Sequence, residues 1–124
     1  MITFSLADLP RALKDVHKAL PCAGDGDRLA SKGVEAFSVN RNGEPCGALI
    51  VGTVCDGFGA DLVIYAAAGE GGGLTEAMDD FCLQLADAAG LDGVRCFTHR
   101  PGLVRKLARL GWAEQTRMMR VAVR

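Results

Sequence analysis

The chain has 124 residues, of which 49% are apolar and 23% charged, so its composition is that of one folded domain and excludes a disordered protein. A net charge of −1 argues against bulk electrostatic binding to nucleic acid or to an anionic membrane. No segment is long and apolar enough to span a bilayer, and the first residues lack a secretory signal pattern, so we expect a single cytoplasmic domain over residues 1–124.

The five cysteines are widely spaced, and no two of them form a Cys-x-x-Cys pair. An odd number at such spacing argues against a disulfide framework and against a zinc site. We therefore expect reduced thiols that pack as small apolar side chains, and no bound metal.

The first third of the chain predicts a short strand, a helix and a loop. The strand covers residues 2–5, Asp8 can cap the helix that follows, and Pro21 ends it. The segment 21–33 is rich in glycine and polar residues, which is typical of a loop.

From residue 34 the sequence changes to the alternating pattern of strands. The dipeptide Asn42-Gly43 is a hairpin signal, and a second glycine turn follows it. The sequence therefore predicts an antiparallel meander of three strands, over residues 34–40, 46–54 and 61–68.

The helix predicted over residues 74–89 has the clearest pattern in the chain. Its apolar side chains form one stripe, while Glu76, Asp79, Asp80, Gln84 and Asp87 face away from it. The remaining predicted elements are a strand over 93–98, a helix from Pro101 to Gly111 and a long final strand over 112–123.

Four glycines lie between the third meander strand and this helix, at Gly69, Gly71, Gly72 and Gly73. A glycine loop that opens a helix presents free backbone N–H groups and the positive end of the helix dipole, which together suit a phosphate or pyrophosphate. The loop lacks the Gly-Lys-Ser/Thr of a P-loop, and Leu74 stands where a dinucleotide-binding fold has its third glycine. A tight turn with a purely structural role is the alternative.

From about residue 46 to 123 the chain resembles the GCN5-related N-acetyltransferases (the GNAT family). The loop sequence AGEGGG places Gly71 and Gly73 at the two glycines of the family's loop pattern. Residues 110–112 read Leu-Gly-Trp where the family has Leu-Gly-Phe, and the order of elements is the same. The resemblance implies a mixed α/β fold with a mostly antiparallel central sheet, flanking helices and a splayed pair of parallel strands.

The resemblance also implies an acyl-CoA-dependent N-acyltransferase, with acetyl-CoA as cosubstrate and an amine as acceptor. In the family the loop amides hold the pyrophosphate of acetyl-CoA, and the thioester lies between the splayed strands, here 61–68 and 93–98. The coenzyme-binding residues implied in this chain are Ala66, Ala68, Gly69, Glu70, Gly71, Gly72, Gly73, Leu74 and Arg100.

The sequence departs from the family's pattern at three positions. Ala68 stands where the loop pattern begins with Gln or Arg, so one phosphate-facing side chain is missing. Leu107 stands where the family often has the tyrosine that protonates the departing thiolate, and Arg100 replaces a frequent asparagine. Glu70 and Glu76 add negative charge beside the loop.

Two side chains are candidates for proton transfer, which this chemistry needs because the attacking amine must lose a proton. Tyr65 is the only tyrosine and lies on the strand nearest the expected thioester. His99 lies where the opposite strand ends, and histidine titrates near neutral pH. Packing of Tyr65 and a loop position for His99 are the alternatives. Asp61 and Glu35 are further carboxylate candidates.

Three functional hypotheses follow. The first is the N-acyltransferase. The second is a GNAT-like module that has lost catalysis and serves in binding or assembly; short divergent versions are similar to ones carried by bacteriophages and prophages, which would place it in a host cytoplasm or a virion. The third is an unrelated small α/β binding protein with a structural glycine turn. The apolar strand faces make a homodimer reasonable, and we expect neither nucleic acid nor membrane as a partner.

Overall fold

The computed structural model describes residues 1–16, 33–98, 100–117 and 119–123. The predicted loop at 21–33 and the helix end at Pro21 lie almost wholly outside these residues. The elements within them are β1 (Ile2–Leu6), α1 (Leu9–Val16), β2 (Glu35–Arg41), β3 (Glu44–Asp56), β4 (Gly59–Gly69), α2 (Leu74–Ala88), β5 (Gly93–Cys96) and α3 (Pro101–Arg109).

The five strands form one sheet in the order β1-β2-β3-β4-β5. Neighbouring strands are antiparallel except β4 and β5, which are parallel. The predicted hairpin turn joins β2 to β3, with φ values of 52° at Asn42 and 86° at Gly43. The predicted fold class, a mostly antiparallel sheet with one parallel pair and flanking helices, is confirmed.

Both faces of the sheet are covered, because β3 carries apolar side chains on each side. Ala48 and Ile50 pack with Ala12 of α1 on one face. Leu49 and Val51 pack on the other face, in the cluster that contains the buried α2 residues Cys82 and Ala86. A strand buried on both faces reads as a continuous apolar run, as this one does.

The pairing of β3 with β4 contains a β-bulge at Tyr65. Ile50 pairs with Ala66 and Val51 pairs with Ile64, so Tyr65 is an extra residue that pairs with no residue of β3 in the ladder. The parallel pairing of β4 with β5 ends at the same level, at Ile64 and Cys96. From there β4 continues to Gly69 without β5 beside it, so the two strands part.

The last predicted strand is wrong in the part of the chain that the structure describes. Residues 112–117 and 119–123 belong to no helix or strand. Met119, Val121 and Val123 are 94%, 88% and 100% exposed. The residue pattern favours a strand, but a strand also needs a partner for its backbone groups, and β5 pairs only with β4.

The strand predicted over 93–98 is also shorter than expected, since β5 ends at Cys96. Phe97 and Thr98 continue the chain past the point where β4 and β5 part, so they have no ladder to join. Among the helices within the described ranges, none combines the length and apolar character needed to cross a bilayer.

Candidate functional site

A cavity of about 620 Å³ opens where β4 and β5 part. A volume of this size is that of a typical pocket for a cofactor or small substrate. Four parts of the chain line it: residues 64–69 of β4 and Gly71 after it, the first turns of α2, the end of β5, and α3 with the segment after it. Those beyond Gly71 are Leu74, Thr75, Met78, Asp79, Cys96, Phe97, Thr98, Arg100, Leu103, Leu107 and Trp112.

The C-terminal part of β4 forms one wall of the cavity, and one of its edges is not paired with β5. Residues 66–69 line the cavity, and no strand in the described ranges pairs with them on the β5 side. Backbone N–H and C=O groups on such an edge can bind an extended ligand as an added strand. Tyr65, at the bulge, also lines the cavity, and its ring packs over Gly52 of β3, which does not line it.

The glycine loop closes one end of the cavity. Gly71 and Gly73 have φ values of 94° and 78°, in the left-handed region that glycine adopts without strain. Gly73 is the N-cap of α2 and makes no side-chain capping bond. The first helical bond runs from the Ala77 N–H to the Gly73 carbonyl at 3.1 Å, so the N–H groups before it are left for another partner. This end can therefore accept an anion.

Two charges of opposite sign flank the loop. Glu76 lies in the first turn of α2, where a carboxylate adds negative charge beside the helix start. Arg41 reaches the loop from the end of β2, and its Nη2 donates to the Gly72 carbonyl at 2.6 Å. No local pattern predicted this contact, because Arg41 lies at the β2–β3 hairpin, 31 residues from Gly72 along the chain.

Most of the coenzyme-binding residues predicted from the sequence lie at this cavity. Six of them line it together with Tyr65: Ala66, Ala68, Gly69, Gly71, Leu74 and Arg100. Glu70, Gly72 and Gly73 belong to the same loop but lie outside the lining. His99 lies outside the described residues, so its role stays a prediction.

The two further carboxylate candidates lie away from the cavity. The Asp61 carboxylate accepts a bond from Arg95 Nε at 3.0 Å. Glu35 lines a separate cavity of about 190 Å³ on another part of the sheet. Neither can act on a ligand between the parted strands from these positions.

Asp79 departs from the predicted solvent-facing side of α2, since it lines the cavity. Its Oδ1 accepts a hydrogen bond from Trp112 Nε1 at 2.7 Å, which ties α2 to the segment after α3. The helical pattern predicted that Asp79 faces away from the apolar stripe, and it could not indicate that a tryptophan 33 residues later would reach it.

The thiols near the cavity are poor nucleophiles at neutral pH. Burial raises the pKa of Cys96, which lines the cavity. Burial, chiefly, and the negative charge of Asp79 raise the pKa of Cys82 to about 12. Cys46, Cys55, Cys82 and Cys96 are free thiols. The cavity thus offers no thiolate near neutral pH from the described cysteines.

The wall formed by α3 is largely apolar. Leu103 and Leu107 line it, so the position of Leu107 offers no proton donor. Arg100 is the N-cap residue of α3, and its own N–H donates to Thr98 Oγ1 at 3.1 Å. Arg100 supplies the positive charge on this side of the cavity.

An ion-pair cluster centred on Arg95 holds β5 where it is still paired with β4, next to the cavity-lining Cys96. Arg95 of β5 donates from Nη1 and Nη2 to the Asp56 carboxylate, at 2.7 and 3.1 Å, and from Nε to Asp61. The side-chain bonds from Arg95, and after them the bond from the Phe58 N–H, lower the pKa of Asp56 from 3.8 to about 2. The bonds to the two carboxylates raise the pKa of Arg95. The cluster, here called the Arg95 brace, ties β5 to β4 and to the end of β3 below the point where the strands part.

Among the comparisons with known proteins, only the one with solved structures found matches. No protein-family model and no curated protein matches the sequence. A transcriptional regulator from Bacillus halodurans C-125 superposes with a TM-score of 0.73 at 15% identity, covering 99% of this chain and 100% of that one. A ribosomal-protein-alanine N-acetyltransferase from Brucella melitensis biovar Abortus 2308 gives 0.69 at 15% identity, with 98% of each chain covered.

A predicted acetyltransferase from Clostridium acetobutylicum, solved with acetyl-CoA, gives a TM-score of 0.68 at 12% identity, covering 98% of this chain and 96% of that one. At such identities the likeness establishes the fold alone. The chain therefore has the N-acetyltransferase fold, and its activity has to be argued from its own residues.

Proposed function

We propose that this protein is an acetyl-CoA-dependent N-acetyltransferase. The observation that carries the proposal is that one cavity joins an open β4 edge to a glycine loop at the start of α2. Acetyl-CoA needs both features, because its pyrophosphate suits the N–H groups of a helix start and its pantetheine arm carries amides that can pair with a strand.

Different residues of the cavity bind different parts of the coenzyme. The N–H groups at Gly71 and at the first turn of α2 face the pyrophosphate. The backbone of residues 66–69 pairs with the amides of the pantetheine arm, which brings the thioester to the bulge at Tyr65. The apolar side chains Leu103 and Leu107 cover the arm from the α3 side and exclude water.

Acetyl-CoA supplies the acetyl group as a thioester, and the acceptor supplies a neutral amine. The amine nitrogen forms a bond to the acetyl carbon, the carbon–sulfur bond breaks, and coenzyme A leaves with the electron pair on sulfur. A backbone N–H at the β4 bulge stabilises the negative charge that develops on the carbonyl oxygen. His99 takes the proton that the amine loses, and the Tyr65 hydroxyl donates a proton to the sulfur, because Leu107 cannot.

The direct test combines binding with turnover. A ligand at a hundredfold excess over Kd stabilises the folded state by about 2.7 kcal/mol, which raises the melting midpoint of a domain of this size by about 10 °C. We expect acetyl-CoA and CoA to do so, adenosine 3′,5′-bisphosphate to do so less, and free CoA thiol to be released with an amine from a broad panel.

A coenzyme-binding module without catalysis is the second candidate. Ala68 and Leu107 favour it, because both replace side chains that would contact phosphate or thiolate in the GNAT pattern. A clear thermal shift without transfer to any amine would support this module. The absence of any shift up to several millimolar ligand would refute both candidates and leave the glycine loop as a structural turn.

A further inference from the structure

Arg41 packs against the glycine loop from outside the cavity. Its Nη2 donates to the Gly72 carbonyl at 2.6 Å and lies 3.5 Å from the Glu70 carbonyl oxygen. A Cβ placed on Gly71 would lie 2.7 Å from the same nitrogen, so the guanidinium is in direct contact with the loop backbone. Gly71 lines the cavity and Arg41 does not, so the guanidinium contacts the loop from outside the cavity lining.

The geometry of the peptide bond links these contacts to the cavity. In a trans peptide the C=O and the following N–H point in opposite directions. The described backbone contains no cis peptide bond. The Glu70 carbonyl shares its peptide with the Gly71 N–H, and the Gly72 carbonyl shares its peptide with the N–H of Gly73. A cation that draws both carbonyls to one side therefore turns both N–H groups to the other.

The charge of Arg41 acts in the same direction. Within the described ranges its side chain bonds to carbonyl oxygens and forms no ion pair with a carboxylate. Its positive charge is therefore not cancelled locally, and it lies beside a loop that carries Glu70 and precedes Glu76. A cation there lowers the cost of bringing a pyrophosphate to a loop with acidic neighbours.

We propose that Arg41 is the positioning residue of the anion site. It does not touch the ligand; it holds two loop carbonyls so that the N–H groups of Gly71 and Gly73 face the pyrophosphate. This inference rests on the proposed function. It assigns a role in binding the coenzyme to the β2–β3 hairpin, an element that otherwise contributes only to the sheet.

The test uses two variants of Arg41 and one control. Arg41→Gln removes the charge, and Arg41→Lys keeps the charge but not the planar guanidinium that reaches both carbonyls. Arg109→Gln removes an equal charge from the exposed side of α3, away from the cavity. The dissociation constant of CoA is measured by calorimetry, and the amides of Gly71 and Gly73 are followed in ¹H–¹⁵N spectra with and without CoA.

We expect both Arg41 variants to bind CoA at least about tenfold more weakly than the parent, a loss of about 1.4 kcal/mol. Their Gly71 and Gly73 amides should shift already in the free protein, and Arg109→Gln should leave Kd within twofold. Parent-like affinity in Arg41→Gln would overturn the proposal, and parent-like affinity in Arg41→Lys would show that charge alone matters and overturn the positioning role. A parent that binds no CoA would instead refute the proposed function, and this role with it.

Discussion

Gly71 and Gly72 are neighbours that differ in what a side chain would meet. A Cβ on Gly71 meets Arg41 at 2.7 Å and is strained by a φ of 94°, whereas a Cβ on Gly72 meets nothing within 4 Å. We therefore expect Gly71→Ala to weaken CoA binding strongly and to destabilise the fold by about 1–2 kcal/mol, the cost of a left-handed non-glycine residue. Gly72→Ala is the matched control and should behave nearly as the parent in calorimetry and thermal unfolding.

Equal affinity for CoA in both glycine variants would contradict the anion site at this loop. Loss of folding in Gly71→Ala alone would support only the structural-turn alternative. Thermal unfolding without ligand separates the two results, because it measures the stability of the loop variant before any binding is considered.

Tyr65 can be tested without disturbing its packing. Its ring lies over Gly52, where a Cβ would come within 2.7 Å of Cε2, so a phenylalanine keeps the same contact. If the hydroxyl protonates the leaving sulfur, Tyr65→Phe should lower kcat by about 10²–10⁴-fold and leave KM for acetyl-CoA little changed. An unchanged kcat on a working amine would show that Tyr65 has only a packing role.

His99→Ala should lower kcat by a similar factor if His99 is the base.

At the scale of secondary-structure elements, the Arg95 brace links β5 to its neighbours in the part of the sheet where β4 and β5 are still paired. Its carboxylate Asp56 has a pKa lowered to about 2, chiefly by the side-chain bond from Arg95. A lowered folded-state pKa stabilises the protein above the unfolded value near 4, and this contribution is lost as pH falls toward 2. We expect Asp56→Asn to be less stable than the parent at pH 6, with the difference shrinking below pH 4.

The matched control for the brace is the exposed pair of Glu114 and Arg117, whose side chains are 66% and 88% exposed at a separation of 3.6 Å. Solvent screens such a pair, so Glu114→Gln should change stability very little at any pH. A stability difference for Asp56→Asn that stays the same between pH 6 and pH 2.5, measured by chemical unfolding, would contradict the ion-pair role.

At the scale of the whole molecule, the sequence predicted the elements that carry a local signal. The hairpin at Asn42-Gly43 and the helix beginning at Leu74 were both readable, because turn chemistry and apolar period act over a few residues. The prediction of a final strand over residues 112–123 was wrong for the opposite reason. Its apolar alternation is local, but the partner that a strand needs is not, and none pairs with residues 112–117 or 119–123 in the described structure.

The candidate site shows the same limit. The loop glycines were identifiable from their spacing, and the resemblance to GNAT proteins brought Tyr65 and Arg100 to the same region. The contact of Arg41 with Gly72 and that of Trp112 with Asp79 were not predicted, because the partners lie 31 and 33 residues apart along the chain. Contacts of this kind follow from how the sheet and helices are assembled, and no local pattern records them.

The extra residue at Tyr65 changes which side chains of β4 lie on each face of the sheet. Leu62 and Ile64 pack on the α2 face of the sheet, whereas beyond the bulge Ala67 faces α2 and Ala66 faces α1. The alternation of side chains between the two faces of the sheet therefore shifts by one residue at Tyr65. The part of β4 after this shift leads into the glycine loop. A regular strand with the same number of residues would instead place Ala67 on the α1 face and Ala66 and Ala68 on the α2 face. The bulge therefore decides which side chains of β4 pack under α2 and which pack under α1 in the part of the strand that leads into the glycine loop.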